Sequence, residues 1–180
     1  MDLHTQDDDV DRRITTERLL LRPLTRADLE DVVTLVGDYE VSKMLVPVPY
    51  PYSDEDAEDF LAMDAEGALD LLWMIEFEDR LAGAISIGVE LGYWLGQPFW
   101  GKGIMTEAGI AAISAYFAGR RTDLIRSSHF VENAASAHVL RKLCFRDVGA
   151  HLHHSKARGA DVPGRSMILR RHWFEAKHGS

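Results

Sequence analysis

At 180 residues, with 46% hydrophobic and 27% charged side chains, the chain is long enough for one domain with a full core and has an ordinary globular composition. A net charge of −9, from 20 basic and 29 acidic side chains, argues against a nucleic-acid partner, which needs basic surface, and is compatible with a cationic substrate or with acidity that only aids solubility. The single cysteine, Cys144, excludes an intrachain disulfide and fits a reducing, cytoplasmic setting, while the longest weakly polar run, Gly109 to Gly119, falls short of the roughly 20 residues of a membrane span.

Residues 1–13 read as a mobile acidic arm, with no hydrophobic run of a signal peptide; Met1 to Arg12 holds five aspartates and little to bury. Residues 14–175 read as a single domain. Ile14 to Pro23 is strand-like, with Leu19, Leu20 and Leu21 at its centre and Pro23 ending it. Thr25 suits a helix N-cap, with Asp28 three residues on. Leu29, Val32, Val33 and Val36 then mark one apolar helix face, and Gly37 fits the stop. Glu40 to Tyr52 carries Pro47, Pro49 and Pro51 between Val48, Tyr50 and Tyr52, which reads as a stiff extended surface loop. Ser53 and Asp56 repeat the capping pattern before a helix bearing Phe60, Leu61 and Met63.

Leu71 to Phe77 alternates as a strand, Glu78 to Arg80 turns, and Leu81 to Gly88 and Val89 to Leu95 return as two more strands. The clearest helix runs from about Gly101 to Arg120, with Ile110, Ile113 and Phe117 on one face. Thr122 to Phe130 is another strand, and Asn133 can cap a helix through Leu143 with Leu140 and Leu143 inward. Phe145 to Leu152 and Arg165 to Arg171 are the last strand candidates, separated by an irregular Gly/His/Lys-rich stretch. The order implies an α+β fold: a mixed, mostly antiparallel sheet of about seven strands with helices on both faces.

The most informative stretch is Leu91 to Ala108: a strand, a glycine-bearing loop and the first turn of a helix. Such a junction aims backbone N–H groups outward at the positive end of a helix dipole, a seat for phosphate or pyrophosphate. Gly101 and Gly103 remove the Cβ atoms that would keep a ligand off the backbone. Lys102 can add charge there or be a solvated loop lysine. Trp94, Phe99 and Trp100 read as packing at the loop edge rather than as a base-stacking platform.

Three segments together resemble the GNAT acyltransferases. Gln97-Pro98-Phe99-Trp100-Gly101-Lys102-Gly103 is similar to the family's Gln/Arg-x-x-Gly-x-Gly/Ala signature. Asn133 to Phe145 is similar to its second acetyl-CoA motif. Thr16 to Leu24 looks like the opening strand of the ribosomal-protein-alanine (RimJ/RimL-type) branch. The chain departs from the pattern at three places. Pro98 stands at the Gln/Arg position and lacks an N–H, with Gln97 one residue early. Cys144 stands where the family usually has glycine. Leu140 stands where many members carry a tyrosine acid.

The resemblance implies the GNAT acyl-CoA N-acyltransferase fold and an acetyl-CoA-dependent N-acetyltransferase. The acceptor would be a primary amine, on a protein N-terminus or a small molecule. It implies pantetheine along the strand ending near Trp94 and Leu95, with Gln97 at the loop entrance. The pyrophosphate would lie on the N–H groups of Gly101, Lys102, Gly103 and Ile104, with Met105 and Thr106 following in the first helical turn. Asn133 and Ser136 would face the cofactor, although capping alone would explain Asn133.

Glu90 is the candidate general base, sharing a strand face with Gly92 and Trp94 by alternation; the competing reading is an ordinary edge glutamate. Ser136 or water would protonate the leaving thiolate. His151, His153 and His154 lack a Cys or acidic partner at ligand spacing, so no metal is expected. Cys144 has no paired base to make it a nucleophile. Tyr50 and Tyr52 can wall an acceptor pocket.

The alternative function is a GNAT-like module that senses CoA esters without turnover. A Rossmann-type dinucleotide enzyme is rejected, because the third glycine and the βα repeat are missing. No membrane partner is expected, and a monomer and a homodimer both remain open.

Overall fold

The computed structural model describes residues 12–119 and 122–179. The expected acidic arm therefore lies outside the described residues except for Arg12 and Arg13, as does the expected helix end at Arg120. Arg12 is tied in: its carbonyl accepts from Trp73 Nε1 at 2.9 Å.

Eight strands form one sheet: β1 (Ile14–Thr15), β2 (Leu19–Arg22), β3 (Leu71–Phe77), β4 (Arg80–Ile87), β5 (Leu91–Leu95), β6 (Leu124–Phe130), β7 (Arg146–Ser155) and β8 (Ala160–Arg170). Their order is β1-β2-β3-β4-β5-β6-β8-β7. Every neighbouring pair is antiparallel except β5 and β6. The expected mixed α+β sheet is present with one strand more. The extra strand arises because Thr16 breaks the first segment: its N–H donates to Leu19 O and its Oγ1 accepts from Leu19 N–H, both at 2.9 Å. That tight turn folds β1 back on β2.

Helices α1 (Leu29–Val36), α2 (Tyr39–Ser42), α3 (Asp54–Ala65), α4 (Ile104–Gly119), α5 (Ala134–Lys142) and α6 (Arg171–His178) cover the sheet. The larger core joins Ile104, Ala108, Ala112, Ile113 and Phe117 of α4, Leu140 of α5 and Phe174 of α6 to one sheet face. The smaller core joins Leu29, Val32 and Val36 of α1 and Ala57 of α3 to Leu72, Met74 and Ala84 on the other. No helix among the described residues is long and apolar enough to cross a membrane.

Both expected caps form. Thr25 N–H and Oγ1 each donate to Asp28 Oδ2 at 2.8 Å, opening a 3₁₀ turn (Arg26–Asp28) that runs into α1. Ser53 and Asp56 do the same for α3. Asp28 is also buried against Arg22, whose guanidinium meets it at 2.9 and 2.7 Å and reaches Glu76 at 2.6 Å.

Four elements differ from the reading of the sequence. The expected loop from Glu40 begins inside helix, because Asp38 caps α2 by accepting from Glu40 N–H at 2.9 Å. Gly37 does end α1, but with a right-handed φ of −65°; a Cβ there would lie 2.5 Å from Val33 O. The stretch expected to be irregular is mostly β7–β8 ladder, so only residues 156–159 turn. Its histidines and glycines hide the alternation that pairing on both edges of β8 enforces. Helix α6 follows a strand candidate with no helical signal noted before it.

Candidate active site

Parallel β5 and β6 pair at Leu91 and Ser127 and then part. Ser127 Oγ donates to Leu91 O at 2.8 Å, closing the narrow end. Gly96 N–H donates to Ala82 O on β4, so alternation turns the peptide groups of Tyr93 and Leu95 toward the β6 side. Trp100 Nε1 donates to Leu95 O at 2.8 Å, a bond the packing interpretation of Trp100 missed; the ring itself is exposed. The opening thus presents strand N–H groups to any extended ligand laid along β5.

At its wide end the chain makes a 3₁₀ turn (Gln97–Phe99), then a bend, then α4. Gly101 and Gly103 adopt φ of +73° and +76°. A Cβ at Gly101 would meet nothing, and one at Gly103 only Arg18 Nη2 at 3.6 Å. The left-handed backbone, not crowding, is what demands glycine at both places. Ile104 and Met105 bury their side chains in the core, so only their N–H groups are available to a ligand, and Thr106 is half-buried. Gln97 is exposed at the loop entrance.

The bend is braced by residues the sequence reading passed over. Arg18 Nη1 donates to Lys102 O at 3.0 Å, and its Nε and Nη2 meet Glu107 at 2.8 and 2.7 Å. Thr16 Oγ1 donates to the same carboxylate at 2.6 Å. Burial pushes the Glu107 carboxyl up, but these hydrogen bonds outweigh it and hold it below the usual range. Its charge lies in the first turn of α4, where the helix dipole favours an anion. Lys102 Nζ sits over the rings of Phe77 and Phe99 at 5.7 and 5.8 Å, and Arg80 over Phe99 at 5.4 Å. Lys102 and Arg80 therefore stand near the glycine bend, while Arg18 is already ion-paired with Glu107.

Glu90 lies in the exposed bend before β5, not in the strand as expected, and its Oε2 accepts from Ser128 Oγ at 3.2 Å. Leu91 and Tyr93 pack toward the α4 side, whereas Trp94 packs with the smaller core. Asn133 caps α5, its Oδ1 accepting from Ser136 N–H at 3.0 Å. Ser136 Oγ lies 2.8 Å from Tyr93 Oη. Burial pushes the Tyr93 hydroxyl up to about 12, against the opposing hydrogen bond of Ser136, so it stays protonated at neutral pH. Leu140 is fully buried. Tyr93 thus supplies from β5 a phenol that the helix lacks. Its only sequence signal was its place two residues before Leu95. Cys144 holds φ at +71°, so the left-handed turn that favours glycine persists despite the side chain.

The three histidines of β7 do not converge. His151 and His153 share a face with ring centroids 3.9 Å apart, while His154 pairs with Asp161 at 2.9 Å. Tyr50 lies against Tyr39 of α2 and is itself exposed, and Tyr52 Oη donates to Asp56 O of α3.

Residues 18–146 match the family model of an acetyltransferase (GNAT) domain. The chain is 29% identical over 157 residues to an uncharacterized N-acetyltransferase p20 of Bacillus licheniformis, covering 80% of this chain and 88% of that protein. Its fold is similar to an acetyltransferase (GNAT family) from Bacillus anthracis, with a TM-score of 0.77 at 22% identity over 88% of this chain and 98% of that one. It is similar also to RimL, a ribosomal L7/L12 alpha-N-protein acetyltransferase in complex with coenzyme A, with a TM-score of 0.74 at 19% identity over 86% and 95%.

Proposed function

The chain belongs to the GNAT acetyltransferase family, and from that premise we propose that it transfers acetyl from acetyl-CoA to a primary amine, on a protein N-terminus or a small molecule. One observation carries the reading: β5 and β6 part beyond Leu91, and the freed length of β5 runs on into the glycine bend. An extended arm and a pyrophosphate joined to it need that sequence of features. Acetyl-CoA supplies a thioester carbonyl and a thiolate leaving group. The N–H groups of Gly101, Lys102, Gly103 and Ile104 hold the pyrophosphate, joined by those of Met105 and Thr106, with Arg80 and Lys102 adding charge and Arg18 bracing the bend. Gln97 borders the entrance. Main chain at Trp94 and Leu95 runs beside the pantetheine, and Asn133 keeps Ser136 facing it.

Glu90 takes a proton from the acceptor ammonium, freeing the nitrogen lone pair to attack the carbonyl carbon. The C–S bond breaks, the Ser136–Tyr93 pair gives a proton to sulfur, and the second proton shed by the acylated nitrogen passes through solvent to restore the pair. Residues 14–175 act as the one catalytic domain. The likeness to RimL favours trying peptide N-termini first, and the acidic surface favours cationic acceptors.

Acetyl-CoA at 100-fold over Kd should raise the melting temperature by about 5–10 °C for a chain this size. No rise at millimolar ligand removes the cofactor reading. Thiol release is then followed with a panel of amines, amino acids and N-terminal peptides. A clear melting shift with no thiol release across the panel favours a sensing module instead.

A further inference from the structure

Ser128, His151, His153 and Ser166 have no part in that reaction. Ile125 packs in the larger core, so alternation puts Ser128 on the opposite face of β6. His153 Nε2 lies 3.1 Å from Ser128 Oγ, and Ser128 Oγ donates to Glu90 Oε2 at 3.2 Å. The line joins β7, β6 and the bend before β5. Strand β8 lies between β6 and β7, so His153 must reach across it. Gly164 makes room, because a Cβ there would sit 2.9 Å from His151 Nε2. His151 occupies that notch, bonded through Nδ1 to Ser166 Oγ at 2.9 Å, and His153 packs edge-on against it. Phe130 meets the His153 ring edge-on at 6.2 Å. The imidazole is thus held from two sides with Nε2 directed at Ser128.

The geometry points to Ser128 and His153 as positioning residues for Glu90, holding its Oε2 so that Oε1 is left for the acceptor ammonium. This rests on Glu90 as the base. Ser128 spends its one proton on the carboxylate, so His153 Nε2 must be the donor to Ser128. The proton leaving the ammonium stops on Oε1, and the serine and histidine keep their own.

The charged groups around His153 are Glu90, His151 and, beyond Phe130, Arg158 with its partner Glu132. Burial lowers the His153 imidazole below its usual range, His151 lowers it further, and Glu90 opposes both. The ring is therefore uncharged at neutral pH. Below the His153 midpoint an imidazolium stands one hydroxyl away and weakens the base.

Histidine-ring NMR on the full chain tests this without an acceptor. Loss of its signal in His153→Gln assigns the residue. Glu90→Gln should lower the His153 midpoint by at least about 0.3 pH unit, because it removes the charge that raises it. An identical midpoint in wild type and Glu90→Gln overturns the proposal. Kinetics with the best acceptor of the panel add a second reading. Ser128→Ala should lower kcat about 10-fold with the KM for acetyl-CoA unchanged. His153→Gln, which keeps a donor for Ser128 but does not titrate, should move the acid limb of the kcat profile to lower pH, leaving only the fall set by protonation of the base itself. If only Glu90→Gln loses activity, the positioning role falls and the base stands. If Glu90→Gln is fully active, the base itself falls. Equal melting shifts with acetyl-CoA in all variants exclude misfolding as the cause.

Discussion

Replacing Asp28 by alanine should cost about 3–4 kcal/mol of stability, because its carboxylate accepts four hydrogen bonds in a nearly dry site. Its side chain is 7% exposed and that of Arg22 14%. Loss of the cap from Thr25 accounts for about 1 kcal/mol. Stranding a buried guanidinium costs about 3–5 kcal/mol, and Glu76, still 2.6 Å from Arg22, keeps the value at the low end. Urea denaturation with linear extrapolation measures it, and a melting temperature lower by about 10 °C should accompany it. The double variant Arg22→Met/Asp28→Ala should recover part of the loss, since the buried guanidinium is gone and the charge left unpaired, Glu76, is the more exposed one at 26%. A cost under about 1 kcal/mol for Asp28→Ala, or a double variant as poor as the sum of the singles, would refute the reasoning. The pH dependence has a definite sign. Burial raises the Asp28 carboxyl, but Arg22 and Thr25 outweigh it, and it lies below its usual range. A depressed folded pKa gives stability that is complete above the unfolded value and lost as pH falls through the folded one. Wild type should therefore lose this contribution below about pH 4, and Asp28→Ala should not.

Tyr93→Phe should lower kcat about 100-fold with little change in the KM for acetyl-CoA, while costing only about 1 kcal/mol of stability. Thiol release reads the first and denaturation the second; a kcat within threefold of wild type would reduce Tyr93 to packing. Gly103→Ala should destabilise by about 1–2 kcal/mol through backbone strain alone, since its Cβ has room, and should shrink the melting shift given by acetyl-CoA. An unaltered shift would detach the bend from cofactor binding.

Much of the architecture was written in short-range patterns. Thr25 with Asp28 and Ser53 with Asp56 are capping signals within one helical turn, and both form. Leu71 to Phe77 forms the expected strand, sending Trp73 and Ile75 to one core and Leu72 and Met74 to the other, and Gly101 and Gly103 occupy the backbone that only glycine adopts freely. The same Asp28 shows the limit of such signals. Its cap was legible, but its burial against Arg22 and Glu76 was not, because Glu76 comes from a strand far along the chain. Arg18 and Glu107 are 89 residues apart, and Tyr93 and Ser136 are 43. Glu90 was placed in a strand because alternation continues through it, whereas the ladder begins at Leu91. Cys144 shows the reverse: it stands where the family usually has glycine, yet the backbone there stays left-handed.

The glycine bend, the helix behind it and the family it belongs to were determined by the sequence itself, because backbone dihedral freedom, caps and periodicity are properties of residues within a few positions of one another. Only the tertiary structure decided which side chains stand around that bend and across the opening beside it. Arg18 reaches Lys102, Tyr93 reaches Ser136, and Ser128 links His153 to Glu90 because strand order and register bring them within hydrogen-bonding distance. No spacing along the chain encodes those distances, since they are set by how separate elements pack on both faces of one sheet.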